Sequence, residues 1–253
     1  MLSGLRNIFK LMVMMGVVMS LSGPSFAVDA ALADLSFTKK MQLAKAGDPD
    51  AKMAVGEAYE LGLNIKLDPV RAAKWYREAA LVGNLEAQFR LAKLVIKGAP
   101  GMNADKPTGI KLLHAGAKLG HSASQNLLGL MLQNGDGMPK DEKAAVEFYK
   151  KAADQKLAVA ETNLGVMYLK GAGVERNLDE AFKLFVRGAT DGDGWAMNNL
   201  GGMYEMGWGT AKDLAKAKDY YNQAAAKGIV MATQNLTRLT PPAGATATIV
   251  PKQ

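Results

Sequence analysis

The chain has 253 residues, 49% of them hydrophobic, a formal charge of +7 and no cysteine. Thiol catalysis, thiolate metal sites and disulfides are therefore excluded, and stability has to come from packing. The bases are dispersed, with Lys39-Lys40 and Lys150-Lys151 as the only adjacent pairs, so no dense cationic stripe points to nucleic acid.

In chain order, the first element is a targeting segment. Arg6 and Lys10 lead into an apolar run from Leu11 to Leu21, and Ser25-Phe26-Ala27 follows Pro24. A basic start, a short apolar core and small residues three and one before a cut are the layout of a secretory signal peptide. Cleavage after Ala27 is expected to leave Val28 as the N-terminus and to place the protein in the periplasm or outside the cell. The run is shorter than the roughly 20 apolar residues a membrane span needs, so no stable span is expected after cleavage. Removing residues 1–27 takes away two bases and no acid and leaves a charge of +5.

A periodic region follows. Gly56, Ala92, Gly129, Gly165 and Gly201, with Thr237 as a degenerate sixth, stand 36, 37, 36, 36 and 36 residues apart. Each of the first five has Leu or Val before it and Tyr59, Val95, Leu132, Tyr168 or Tyr204 three residues later, which predicts one helix per repeat. Gly62, Gly98, Gly135, Gly171 and Gly207 are expected to close these helices. Asp68, Asp105, Asp141, Asn177 and Asp213 are expected to cap a second helix, with Asn177 and Glu180 forming a capping box. Each second helix carries a bulky pair, Trp75-Tyr76, Leu112-Leu113, Phe148-Tyr149, Leu184-Phe185 and Tyr220-Tyr221, and then a small pair such as Ala152-Ala153. It ends at Gly83, Gly120, Lys156, Gly192 or Gly228.

The motif Leu164-Gly165-x-x-Tyr168, then Gly171-x-Gly173-Val174 and Glu180-Ala181, with Tyr220-Tyr221-x-x-Ala224-Ala225-x-x-Gly228 in the next copy, resembles the Sel1-like repeat. The resemblance covers nearly all of residues 36–239 and implies an all-α, right-handed α-α solenoid related to tetratricopeptide arrays. The division it suggests is a capping half-repeat over 28–50, five repeats over 51–231, a second half-repeat over 232–239 and a disordered tail over 240–253. The second copy departs locally, with Ala92 for glycine, Leu112-Leu113 for an aromatic pair and one extra residue between Ala99 and Ala104, where distorted packing is expected. Proteins of this kind commonly act as scaffolds for envelope, cell-wall, polysaccharide or host-directed machinery. The resemblance therefore implies a protein partner and no enzymatic activity, with direct binding of a cell-wall glycan or peptide as the alternative.

Chemical motifs are weak. His114 and His121 alone cannot make a metal site that wants three or four ligands, and no cofactor is expected. Ser36-Phe37-Thr38-Lys39 spells the serine-x-x-lysine of penicillin-recognising enzymes, a remote hydrolase alternative, but no companion element accompanies it, and a helix N-cap accounts for the serine. The Gly-x-Gly pairs recur at the repeat interval and lack the strand and lysine of a phosphate loop.

If first helices line the concave side, as in related repeats, their variable positions face a groove. The candidates are Phe89, Lys93, Ile96, Lys97, Leu130, Gln133, Val166, Leu169, Lys170, Glu205 and Met206, with Trp208 as a separate anchor between two turn glycines. Their mixture of apolar centre and charged edge suits an interface; the alternative is that some turn inward to pack.

Overall fold

The computed structural model describes residue 32 and residues 34–239; residues 1–31, 33 and 240–253, on which the expected signal segment and tail fall, lie outside the described residues. Among the described residues, twelve helices follow one another: α1 (Phe37–Lys45), α2 (Pro49–Leu61), α3 (Pro69–Ala80), α4 (Leu85–Lys97), α5 (Lys106–Lys118), α6 (Ser122–Asn134), α7 (Glu142–Ala153), α8 (Ala158–Lys170), α9 (Leu178–Thr190), α10 (Gly194–Met206), α11 (Leu214–Ala226) and α12 (Val230–Leu239). Each packs against the next, so the array grows along one axis.

The loops explain why the chain folds back twice in each repeat. Asp68, Asp105, Asp141, Asn177 and Asp213 each accept a backbone N–H from the first turn of the following helix. Their own N–H groups donate to Tyr59, Val95, Leu132, Tyr168 and Tyr204 carbonyls near the end of the preceding helix, at 2.8–3.0 Å. One residue thus satisfies a helix start and ties it to a helix end. This corrects the capping-box expectation: the Asn177 amide is used by Tyr168, and the Glu180 carboxylate instead takes Lys183 at 2.7 Å. Lys156 adopts φ 61° where the other repeats place glycine, a strain that a non-glycine residue bears at this turn.

Between the two helices of a repeat, a glycine sits under a ring. A Cβ on Gly56, Gly129, Gly165 or Gly201 would come within 2.6–2.8 Å of Tyr76, Tyr149, Phe185 or Tyr221. In the second repeat both partners change together, Ala92 facing Leu113, and the smaller side chain leaves room for the methyl group. The added residue there is absorbed by a tight turn in which Ala99 and Met102 exchange backbone hydrogen bonds at 2.9 and 2.8 Å. Asp105 still closes the loop onto Val95, so the expected distortion stays inside the turn.

Among the described residues, α1 and Leu32 pack on the first end of the array and α12 on the last. Leu32 and Ala44 pack on Ala51 and Val55, with Phe37 edge-on to Tyr59. At the other end α12 buries Ala232, and Arg238 clamps Glu205 with two hydrogen bonds of 2.5 and 2.8 Å.

Candidate interaction face

Successive first helices touch directly, α2 against α4 and α8 against α10. Asn163 and Asn235 also donate to Asn126 and Asn198 of the repeats before them, at 2.9 and 3.1 Å. The first helices therefore form one continuous surface. Within each of them, the offsets −6, −2, +1 and +5 from the repeat's central small residue fall on one helical face, opposite the buried one. In the structure every residue at these offsets is exposed or half-buried.

Read across the repeats, the −6 row is Asp50, Glu86, Ala123, Val159, Trp195 and Met231, and the −2 row is Ala54, Arg90, Leu127, Asn163, Asn199 and Asn235. The +1 row is Glu57, Lys93, Leu130, Val166, Gly202 and Arg238, and the +5 row is Leu61, Lys97, Asn134, Lys170 and Met206. Polarity changes along the array, from charged at the N-terminal end to apolar and amide-bearing at the C-terminal end.

The N-terminal part forms a cleft of about 910 Å³ lined from α2, α4, the start of α6 and the cap, including Leu32, Asp50, Met53, Glu57, Glu86, Arg90 and His121. Its charges engage one another. Arg90 reaches Glu57 at 2.9 Å and Glu86 at 2.8 Å. His121 caps α6 by accepting the Ser124 N–H, and its other nitrogen lies 3.5 Å from Glu86. The His121 hydrogen bond, aided by Arg90, holds the Glu86 carboxyl below its ordinary range.

The predicted residues separate into four groups. Lys93, Lys97, Leu130, Val166, Lys170 and Met206 stand on the common face, with Leu130 and Met206 well exposed. Phe89 is half-buried, under the Lys93 ammonium at 5.4 Å and beside the His121 ring. Ile96, Gln133, Leu169 and Glu205 point instead into the seam with the second helix. Gln133 and Glu205 accept the Tyr149 and Tyr221 hydroxyls at 2.7 and 2.8 Å, while Ile96 and Leu169 pack in the clusters of Leu113 and Phe185. Offset +4 lies one residue short of the open face, so these four are corrected to packing positions. Trp208, in the turn, is 40% exposed with the Arg176 guanidinium 5.9 Å above its ring. Sequence reasoning missed Trp195, Arg90, Val159, Asn163 and Asn199. The signal was the −6 and −2 offsets.

The remaining motifs find structural uses. Ser36 caps α1 through the Lys39 N–H, and the Lys39 ammonium donates to Gln42. His114 stacks edge-on to Phe148. Among the described residues no group of three or more His, Asp or Glu could hold a metal ion, and no helix is long and apolar enough to cross a membrane.

Comparison with known proteins identifies this architecture. The family model for the Sel1 repeat matches residues 49–84, 85–121, 122–157, 158–193 and 196–229. The chain belongs to the Sel1 repeat family. A Sel1 repeat protein from Oxalobacter formigenes is 28% identical, with a TM-score of 0.72 over 81% of this chain and 89% of that one. A protective antigen present in uropathogenic Escherichia coli strains, displaying an SLR fold, is 31% identical with a TM-score of 0.69, over 79% of this chain. This chain spans only 43% of that antigen's length. The immunity protein Pa5087 from Pseudomonas aeruginosa shares the fold at 18% identity and a TM-score of 0.55. Among curated proteins none matches. Sel1 repeats typically serve as protein-interaction scaffolds rather than as catalysts.

Proposed function

We propose that this Sel1 repeat protein is an exported scaffold, periplasmic or secreted, that binds a partner protein along the face of its first helices and so regulates envelope, cell-wall, polysaccharide or host-directed machinery. The observation that carries this reading is the open face itself. Val159, Trp195 and Met231 are 40%, 51% and 49% exposed in one row, an apolar ridge that a solitary soluble surface has no use for. Support for export comes from the basic and apolar layout of residues 1–27 and from the E. coli relative being a protective antigen.

The test is capture from envelope extract with the chain from Val28 onward. A stoichiometric protein partner whose retention is lost on Trp195→Asp, with helicity unchanged, supports the reading. Retention on purified cell wall alone would replace it with glycan binding. Mass analysis of the natural protein is expected to find Val28 at the N-terminus, and recovery of the intact chain in cytosol would overturn export.

A further inference from the structure

The two ends of the first-helix face differ in what their charges still lack. At the N-terminal end the Arg90 guanidinium is already held by Glu57 and Glu86, so a charged ligand there would have to displace pairs of 2.8–2.9 Å. From α6 onward the face carries no carboxylate at any of the four open offsets. Arg238 is occupied by Glu205, whereas Lys97 and Lys170 are exposed and no carboxylate among the described residues lies within ion-pair distance of either. Both lysines stand on the +5 row, at the opposite edge of the face from the −6 ridge of Val159, Trp195 and Met231.

Between these edges the floor opens at Gly202. Its neighbours in the same row are Leu130, Val166 and Arg238, and a Cβ at Gly202 would meet only the Tyr221 hydroxyl, at 3.5 Å. Glycine inside a helix costs about 1 kcal/mol relative to alanine, and packing does not require it here. Its effect is to leave the helix backbone uncovered there, one turn from Asn199 and two turns from Trp195 on the same helix.

We propose that the face from the C-terminal end of α4 to α12 takes an extended, acidic and apolar segment of a partner protein, with its apolar side chains on the Val159, Trp195 and Met231 ridge and its carboxylates toward Lys97 and Lys170. The proposal rests on the reading of the first-helix face as the interaction surface and adds the chemistry of the partner. Charge complementarity sets the acid, and the unpaired ridge sets the apolar component. Alternate side chains of an extended chain point to opposite sides, which matches a surface with one apolar and one cationic edge. Packed helices stand about 9 Å apart, so the stretch from α4 to α12 spans about 36 Å. An extended chain rising about 3.3 Å per residue covers that in about eleven residues.

Random linear dodecapeptides displayed on phage and selected on the full chain from Val28 test this directly. Enriched peptides are expected to combine Asp or Glu with Leu, Phe or Trp, and a synthetic copy of one is expected to bind more weakly as salt rises. Trp195→Ala and Lys170→Glu should each weaken it by roughly tenfold, while Glu57→Gln leaves it unchanged. Gly202→Leu should block binding while keeping or raising thermal stability, which separates loss of the groove from loss of the fold. Enrichment of basic peptides, no enrichment, or binding indifferent to Trp195→Ala and Gly202→Leu would overturn the proposal. If envelope extract still yields a protein partner whose capture ignores Trp195 and Lys170, the scaffold reading stands and this inference falls. Binding of cell-wall fragments lost on Trp195→Ala would assign the ridge to glycan and overturn it as well.

Discussion

The first two repeats and the last three present the same helix offsets to the same surface, yet the cleft of the former closes on its own charges around Arg90 and the face of the latter stays open. Arg90 draws Glu57 and Glu86 together across α2 and α4, and Leu32 and Lys40 of the cap region line the same cleft. At the equivalent of Arg90 the later repeats have Asn163 and Asn199, and at the equivalent of Glu86 they have Val159 and Trp195. A repeat fold fixes where side chains stand, while the variable positions decide whether a stretch of surface is satisfied within the chain or by a partner.

The largest effect expected from dividing the halves is in the seam. Gly201→Val places a branched side chain where even a Cβ comes within 2.8 Å of the Tyr221 ring, and overpacking should cost about 1–3 kcal/mol in denaturant unfolding. In the second repeat the requirement is reversed: Ala92→Gly should cost about 1 kcal/mol, because Leu113 needs no clearance and glycine loosens the helix. If both substitutions act alike, the two seams are not packed differently.

A smaller effect separates two buried carboxylates of the C-terminal half. Glu161 sits at the offset of Gln88 and Gln125, whose amides donate to the Leu112 and Ala117 carbonyls. One Glu161 oxygen takes Arg187 at 2.9 Å and the other is buried without a partner, and burial raises its pKa above 4.5 despite that arginine. A raised carboxyl pKa destabilises the fold once pH exceeds the unfolded value, so Glu161→Gln should gain about 1 kcal/mol at neutral pH. That gain should vanish in acid, below the unfolded carboxyl range. Glu205 behaves oppositely: the Arg238 hydrogen bond, with help from Tyr221, lowers its pKa. Its contribution is present above the unfolded value and is lost as pH falls through the lowered one, so acid should loosen α12 while relieving Glu161. Stability curves of Glu161→Gln and Glu205→Gln between neutral pH and acid check both signs.

The smallest effect concerns the closed half. Arg90→Ala should cost about 0.5–1 kcal/mol, since its partners are partly exposed, and the loss should shrink as salt screens the pairs. An unchanged melting temperature at low salt would mean that these pairs do not hold the cleft.

Local chemistry made much of this fold legible in the sequence. Caps such as Asp68 and Asp213 and closing glycines such as Gly62 act on their own neighbours, so their roles follow from residue type and spacing. The open face was harder to see, because offsets +4 and +5 differ by one residue and only the partner helix decides which one is covered. The deciding signal lay in paired changes: Glu60, Gln133 and Glu205 accompany Tyr76, Tyr149 and Tyr221, whereas Ile96 and Leu169 accompany Leu113 and Phe185. A polar residue that alternates with its neighbour's hydroxyl faces that neighbour and is unavailable to a ligand. Trp195 escaped notice because the motif residues around Leu200 and Gly201 define the core, and it stands a turn and a half before them.

The central claim is that binding runs along the first-helix face from the C-terminal end of α4 through the later repeats and leaves the N-terminal cleft free, and hydrogen exchange on the complex with the captured partner tests it most directly. The account predicts added protection in α8 and α10, with α9, α11 and the α2–α4 cleft unchanged. Protection concentrated on the second helices or in the N-terminal cleft would contradict it.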